Sequence, residues 1–146
     1  ALLLALKATG APQPAAAVVL SPWADLTHSG ETMTTMADKD VSLTKAGLES
    51  GAIQYAGSHP LTDPLLSPVF GDLGGVAPLL IEVGTTEILY SDATRVRDNA
   101  RAGGTDVTFS DWEDMPHDWS LFSFMLSEGR DMIDEVGAWI KGKLAS

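Results

Sequence analysis

The sequence predicts an α/β fold in which helices cover both faces of a parallel sheet. Three short runs have the length and composition of strands: residues 15–20 (AAAVVL), 78–83 (PLLIEV) and 105–112 (TDVTFSDW). Segments with helical patterns lie before, between and after them. Strands that alternate with helices along a chain usually form a parallel sheet, because each crossover helix returns the chain to the same end of the sheet.

The first predicted element is a helix over residues 1–7, which are apolar almost throughout. Gly10 follows it, and glycine commonly ends helices because it adopts the left-handed conformation easily. The helix has no N-cap residue, so we expect the natural sequence to begin further upstream. Residues 15–20 form a continuous apolar run between prolines, which predicts a strand buried on both faces.

The segment between the first two strands is predicted to be mostly irregular. Residues 22–40 mix Thr, Ser, Asp and Gly, with short helical pieces. Residues 42–55 (SLTKAGLESGAIQY) begin with serine and predict a helix, whereas residues 59–75 contain three prolines and predict a loop. The second buried strand, residues 78–83, stops at Gly84.

The C-terminal part predicts two further helices around a more exposed strand. Residues 91–102 form a helix with Asp92 in its first turn and Gly103 after its end. Residues 105–112 alternate apolar and polar side chains, and residues 128–144 carry a single apolar stripe that is typical of a surface helix. Three strands are few for such a sheet, which is a second indication that part of the fold lies outside this sequence.

The composition excludes several classes of function. Twenty acidic residues against nine basic ones give a formal net charge of −11, so a basic surface for nucleic acid is missing. The chain has no cysteine, which excludes disulfides and thiol catalysis and leaves the redox compartment undecided. The apolar start is too short to span a bilayer and lacks the basic region of a signal peptide. An apolar fraction of 45% in 146 residues predicts one globular domain.

Two loops that follow predicted strands carry side chains capable of acid–base chemistry. Glu87 comes shortly after the second strand, and His117 follows the third. The loops after parallel strands meet at one edge of the sheet. A carboxylate bound to one imidazole nitrogen would fix the tautomer and leave the other nitrogen free to accept a proton from a nucleophile. His28 and His59 lie in polar loops with no such partner.

Four segments together resemble the bacterial hormone-sensitive-lipase-like carboxylesterases, a branch of the α/β-hydrolases. They are residues 21–27 (SPWADLT), 63–68 (DPLLSP), 78–84 (PLLIEVG) and 115–119 (MPHDW). Each segment alone is a weak signal, but the four stand in order at familiar spacing and extend the resemblance over essentially the whole chain. The resemblance implies that residues 1–146 are the C-terminal part of one α/β-hydrolase catalytic domain.

The resemblance also assigns roles to individual residues. In that family the triad runs serine, acid, histidine, and Glu87 and His117 fall at the last two positions. Asp92 is the alternative acid, although its place in a first helical turn favours a helix-capping role. No Gly-x-Ser-x-Gly and no His-Gly-Gly-Gly occurs in the sequence, and in the family both lie upstream of the position of residue 1. Ser21 and Ser67 each precede a proline and lie on no nucleophile turn, so neither replaces the serine.

The implied function is the hydrolysis of a small-molecule carboxylic ester by Ser-Glu-His acyl transfer. This chain would supply the acid and the histidine, and the missing N-terminal half of the same domain would supply the serine. No cofactor is implied, because acyl transfer needs only these groups and an oxyanion hole. Family members often pair through the last strand and helix. The resemblance therefore implies a homodimer that forms through residues 105–112.

Two other classes of function compete with the esterase. One is a non-catalytic binding or assembly module derived from a hydrolase, which nothing in the sequence excludes. The other is a metal site, but the sequence contains no i, i+4 ligand pair on a helix and no cluster of Cys or His.

Overall fold

The computed structural model describes residues 1–145 and confirms the α/β fold that the sequence predicts. Helices and strands follow one another in the predicted order. The elements are α1 (Leu2–Thr9), β1 (Ala17–Leu20), α2 (Thr32–Thr35), α3 (Lys45–Ala56), β2 (Leu79–Gly84), α4 (Tyr90–Ala102), β3 (Val107–Trp112) and α5 (Ser127–Leu144). No helix within residues 1–145 is both long and apolar enough to cross a bilayer.

The three strands form a parallel sheet in the order β1-β2-β3. The central strand, β2, is buried along its whole length. Its register pairs Leu20 of β1 with Glu82, and Glu82 with Ser110 of β3. The carboxyl ends of the strands are therefore level, and the loops after them leave from one edge of the sheet.

One face of the sheet packs against α1 and α4 and contains the main core. Side chains alternate between the two faces of a strand, so every second residue of β2 points to this core. Burying a Leu, Ile or Val side chain contributes roughly 1.5–3 kcal/mol relative to leaving it in water. The buried members contributed by β2 and α4 are Leu79, Ile81, Val83, Ala93, Val96 and Ala100.

Helix α5 covers the opposite face, as the predicted two-sided arrangement requires. The indole Nε1 of Trp139 donates a hydrogen bond to Thr108 Oγ1 at 2.9 Å. The hydroxyl of Ser110 donates to Glu135 Oε1 at 2.7 Å. Both contacts join α5 to β3, so helices lie on both faces of the sheet.

Glu82 is a buried carboxyl group in the middle of this second face. It is 0% exposed, and the indole Nε1 of Trp112 donates a hydrogen bond to its Oε2 at 2.6 Å. Its other oxygen has no hydrogen-bond partner among residues 1–145. Burial disfavours the charged form and raises the pKa of Glu82 from 4.5 to about 7, despite the opposing hydrogen bond from Trp112.

This raised pKa predicts a loss of stability in mildly alkaline solution. The folded protein holds the proton of Glu82 more tightly than the unfolded chain does. The stability that this provides is fully present below about pH 4.5 and is lost as the pH rises through about 7. A difference of this size corresponds to up to about 3 kcal/mol. We expect Glu82→Gln to remove the decline and to stabilise the complete protein at pH 8, measured by urea unfolding at pH 5 and pH 8.

The control for this experiment is Glu113→Gln, which changes an exposed glutamate close to Trp112. It should leave the difference in stability between pH 5 and pH 8 as it is in the unaltered protein. If Glu82→Gln and Glu113→Gln give the same pH dependence, Glu82 is not the group that titrates.

Strand β1 differs from its prediction. It spans Ala17–Leu20 rather than residues 15–20, and it is half-buried or exposed rather than buried on both faces. The reason is its place at one edge of the sheet, where it pairs only with β2 among the described residues. Leu2 on α1 and Leu20 at the end of β1 are 70% and 42% exposed. An unpaired strand edge beside apolar side chains is a surface that proteins usually cover.

Strand β3 lies at the other edge and has the intermediate exposure that its alternating pattern predicts. The homodimer through residues 105–112 stays a prediction.

The remaining differences are shifts of boundaries. Helix α3 begins after Thr44 rather than Ser42, because the hydroxyl of Thr44 accepts a hydrogen bond from the N–H of Gly47 and caps the helix. The predicted loop over residues 59–75 contains a short 3₁₀ turn, Pro68–Phe70.

Candidate active site

The loops after β2 and β3 are joined by hydrogen bonds directly beyond the sheet. The N–H of Thr85 donates to the carbonyl of Trp112 at 3.0 Å. The hydroxyl of Thr86 donates to the carbonyl of Met115 at 2.8 Å, and the N–H of Asp114 donates to Thr85 Oγ1 at 2.9 Å. These bonds fix the second loop against the first, so that side chains from the two loops can meet.

Gly84 is required at the point where β2 enters its loop. A Cβ atom at this position would overlap the carbonyl oxygen of Met115 and would lie 2.7 Å from its carbonyl carbon. Both are backbone atoms, which cannot move aside as a flexible side chain could. The absence of a side chain at Gly84 thus permits the close approach of the two loops.

Glu87 and His117, the two residues singled out by the sequence, are in contact in this region. His117 Nδ1 lies 2.9 Å from Glu87 Oε2. The other carboxylate oxygen, Oε1, accepts hydrogen bonds from the N–H of Gly84 at 2.7 Å and from the hydroxyl of Ser21 at 2.6 Å. Glu87 is 0% exposed. A buried carboxylate needs such partners, because it loses the hydration that stabilises its charge in water.

The contact with Glu87 changes the protonation of His117. Burial by itself opposes the charged imidazole, but the hydrogen bond and the negative charge of Glu87 outweigh it. The nearby carboxylates of Asp118 and Asp40 act in the same direction. The pKa of His117 is therefore raised above its ordinary value of 6.5.

The second nitrogen of His117, Nε2, lies near an acidic side chain. Nε2 lies 3.2 Å from Oδ2 of Asp118, whose side chain is 40% exposed. The backbone of Asp118 is left-handed, with φ 53°. Because the side chain of Asp118 is partly exposed, it can turn into solvent and leave Nε2 to an approaching hydroxyl group.

Asp92, the alternative acid, is engaged elsewhere. Its Oδ2 accepts hydrogen bonds from the backbone N–H groups of Ala24 and Asp25, both at 2.9 Å. Burial raises the pKa of Asp92 to about 6, against these hydrogen bonds. Asp92 lies in the first turn of α4, as the sequence predicts, and the N-cap position of this helix is Leu89, which has no side-chain cap. Asp92 instead holds the loop that follows β1.

Asp25 in this same loop is also fixed by hydrogen bonds. Arg95 Nη1 donates to its Oδ2 at 2.7 Å, and the side chains of Thr27 and Ser29 donate to the carboxylate as well. Burial would raise the pKa of Asp25, but the bonds from Ser29, Thr27 and Arg95 lower it to about 2. The carboxylate thus stays charged and ties the loop to α4.

Ser67 joins two of the segments that carry the family resemblance. Its hydroxyl accepts a hydrogen bond from the N–H of Leu26 at 2.8 Å and donates one to the carbonyl of Leu61 at 2.5 Å. Ser67 is 0% exposed, and its hydroxyl is used within the fold.

Ser21 is the residue whose contact with the site the sequence did not reveal. It was considered only as a substitute nucleophile, whereas its hydroxyl donates a hydrogen bond to Glu87. The only sequence signal is a serine before a proline at the end of a strand, which by itself does not indicate this contact.

The other histidines lie outside the Glu87–His117 contact. His28 stacks on Trp23 with 5.8 Å between ring centroids, and burial lowers its pKa. His59 is exposed. Within residues 1–145, no group of three or more His, Cys, Asp or Glu side chains is arranged to hold a metal ion.

The fold and the order of these residues match a known family. The profile of a family described as having the alpha/beta hydrolase fold matches residues 1–121. The chain therefore belongs to the α/β-hydrolases. Its likeness to esterases of the bacterial hormone-sensitive lipase family, predicted from four sequence segments, is confirmed by the solved structures that it matches.

Two relatives and one solved structure show which hydrolases this chain resembles. An acetyl-hydrolase of Streptomyces hygroscopicus is 44% identical over 142 residues, which are 97% of this chain and 47% of that protein. An esterase of Acinetobacter venetianus is 30% identical over 93% of this chain and 45% of its own length. The crystal structure of an esterase from the bacterial hormone-sensitive lipase family is 41% identical, with a TM-score of 0.95 over 97% of this chain and 48% of that one. The chain thus spans about half the length of the proteins it matches.

Proposed function

We propose that this chain is part of a serine carboxylesterase, in which Glu87 and His117 are the acid and the base of a catalytic triad. The observation that carries the proposal is the 2.9 Å contact between His117 Nδ1 and the buried Glu87 carboxylate. Relatives named as an acetyl-hydrolase and as esterases support ester hydrolysis as the reaction class. The substrate is a small-molecule carboxylic ester.

In the proposed reaction, His117 moves one proton in each half of the cycle. A serine hydroxyl attacks the ester carbonyl while His117 Nε2 accepts its proton. The tetrahedral intermediate then expels the alcohol, which receives that proton, and an acyl-enzyme remains. Water attacks the acyl group by the same route, with His117 again as base. The bond to the serine oxygen then breaks, this oxygen takes the proton from His117, and the carboxylic acid is released. Glu87 holds Nδ1–H and stabilises the imidazolium in both steps.

The nucleophile is proposed to come from the N-terminal half of the same domain. Gly-x-Ser-x-Gly, the turn that presents such a serine, does not occur in the 146 residues. The proteins that this chain resembles are about twice its length, which leaves room for that half. The exposed edge of β1 and the neighbouring Leu2 offer a surface against which further strands would pack.

The experiment that tests this division is an assay of two chains side by side. One contains residues 1–146 alone, and the other continues upstream to include Gly-x-Ser-x-Gly. We expect turnover of p-nitrophenyl acetate by the longer chain only, because the covalent route and the oxyanion donors are absent from the shorter one. Circular dichroism on both chains shows whether a loss of activity is merely a loss of structure.

A serine-directed phosphonate is the control. It should abolish turnover by the longer chain. Robust turnover by the 146-residue chain that the phosphonate abolishes would mean that the nucleophile lies within these residues. If the folded longer chain lacks turnover of short esters altogether, the alternative of a non-catalytic module derived from a hydrolase is favoured.

A further inference from the structure

We propose that Ser21 is a positioning residue for the Glu87 carboxylate and acts on His117 through it. This inference rests on the proposed function, because it assigns Ser21 a part in the same acid–base pair. Ser21 lies directly after β1, 66 positions before Glu87 in the chain, and is 4% exposed.

The hydroxyl of Ser21 makes a strong hydrogen bond to the carboxylate. Its Oγ lies 2.6 Å from Glu87 Oε1, within the range of charge-assisted O–H···O⁻ bonds. Together with the N–H of Gly84, it binds the oxygen that does not face the histidine. With Oε1 held by two donors, rotation of the carboxyl group is restricted, and Oε2 stays directed at His117 Nδ1.

A second contact orients the hydroxyl itself. The backbone N–H of Asp118 points to Ser21 Oγ at 3.4 Å, a long hydrogen bond that uses the oxygen as acceptor. A serine hydroxyl has a single hydrogen, and this one is directed to Glu87. Ser21 thereby connects the loop after β1 with the loops after β2 and β3, which carry the acid and the base.

The backbone of Ser21 adopts a conformation that its sequence context disfavours. Its φ is +40°, in the left-handed region that few non-glycine residues occupy. The next residue is Pro22, and a residue before proline normally has an extended conformation. A hydrogen bond from the N–H of Ser21 to the carbonyl of Glu82, 2.8 Å long, holds it in place. Strain of this kind is typical of functional sites.

The geometry also separates this role from that of a nucleophile. A triad serine donates its hydrogen to the imidazole Nε2. Ser21 instead donates to the carboxylate on the opposite side of the imidazole, where Nδ1 lies. Its hydroxyl is therefore placed to support the acid.

The test is Ser21→Gly in the complete esterase, since glycine accepts a positive φ and removes only the hydroxymethyl group. We expect kcat to fall roughly ten- to a hundred-fold with KM nearly unchanged, as for the loss of a hydrogen bond to a charged group. We also expect the acid limb of kcat/KM to move to lower pH. Glu87 raises the pKa of His117, and a less well-oriented carboxylate raises it less.

Ser67→Ala is the matched control, because Ser67 is also a buried serine before a proline but makes no contact with Glu87 or His117 among the described residues. The Ser67→Ala substitution should lower the free energy of unfolding and leave the acid limb of kcat/KM at the pH found for the unaltered protein. A folded Ser21→Gly enzyme with kcat within two-fold of the unaltered protein and an unmoved acid limb overturns the inference.

The remaining outcomes are separated by two further variants. If Ser21→Gly does not fold, Ser21→Cys takes its place, since it keeps the shape of serine with a weaker donor. If His117→Ala retains full turnover, the proposed function itself fails. If His117→Ala loses turnover while Ser21→Gly keeps the kcat and the acid limb of the unaltered protein, only the positioning role of Ser21 is removed.

Discussion

Replacing His117 by alanine is expected to lower kcat of the proposed complete esterase by on the order of 10⁶-fold. The change removes the group that accepts and returns the proton in both halves of the proposed reaction. The fold should persist, since Glu87 keeps hydrogen bonds from Gly84 and Ser21 when the imidazole is gone. Turnover of p-nitrophenyl acetate and the midpoint of thermal unfolding, measured on one preparation, separate the two effects.

His59→Ala serves as the control for this variant. His59 is exposed, and it should tolerate the change with turnover within about two-fold of the unaltered protein, since surface substitutions rarely affect the fold. A folded His117→Ala enzyme that keeps turnover within ten-fold would show that the proton is carried by another group.

The sequence predicts the edge of the sheet where this site lies because the relevant signals are local. The apolar run of β2 and the alternating pattern of β3 identify neighbouring parallel strands. Parallel strands bring the residues after them together, which is why the sequence places Glu87 and His117 at one edge of the sheet. Gly84, which permits the close approach of the loops, appears in the sequence only as the end of a strand.

The features that the sequence did not reveal depend on distant residues. The exposure of β1 is determined by which strands flank it, and its apolar run does not contain that information. Asp92 was assigned to its own helix because local electrostatics favours that role, but its partners lie 67 and 68 positions earlier in the chain. Ser21 is the extreme case, since its φ of +40° contradicts the local preference of a residue before proline.

The second large effect is expected for Glu87→Gln, with a fall in kcat on the order of 10⁴-fold. The reason lies in the donors around the carboxylate. The N–H of Gly84 is a fixed donor to Oε1, so it selects the amide orientation that places the carbonyl oxygen there. The amide NH₂ group then faces His117 Nδ1 and donates to it. Nδ1 can accept this hydrogen bond only in the imidazole tautomer that carries its proton on Nε2. In this tautomer Nε2 cannot accept a proton from the nucleophile, so His117 cannot act as the base.

The same substitution changes the charge at the site. The carboxylate of Glu87 is among the groups that raise the pKa of His117, so its removal should lower that pKa. A base must be neutral to accept a proton, and the acid limb of the residual kcat/KM is therefore expected to move to lower pH. Titration of the His117 imidazole by NMR provides the same comparison without turnover.

Asp92→Asn separates the two candidate acids in this experiment. Its amide oxygen can still accept hydrogen bonds from the N–H groups of Ala24 and Asp25, so the loop after β1 should remain in place. We expect turnover within ten-fold of the unaltered protein and no shift of the acid limb. The opposite pattern, with near-normal turnover for Glu87→Gln and a loss of several orders of magnitude for a folded Asp92→Asn, would assign the acid to Asp92. The 2.9 Å contact between Glu87 and His117 would then be structural only.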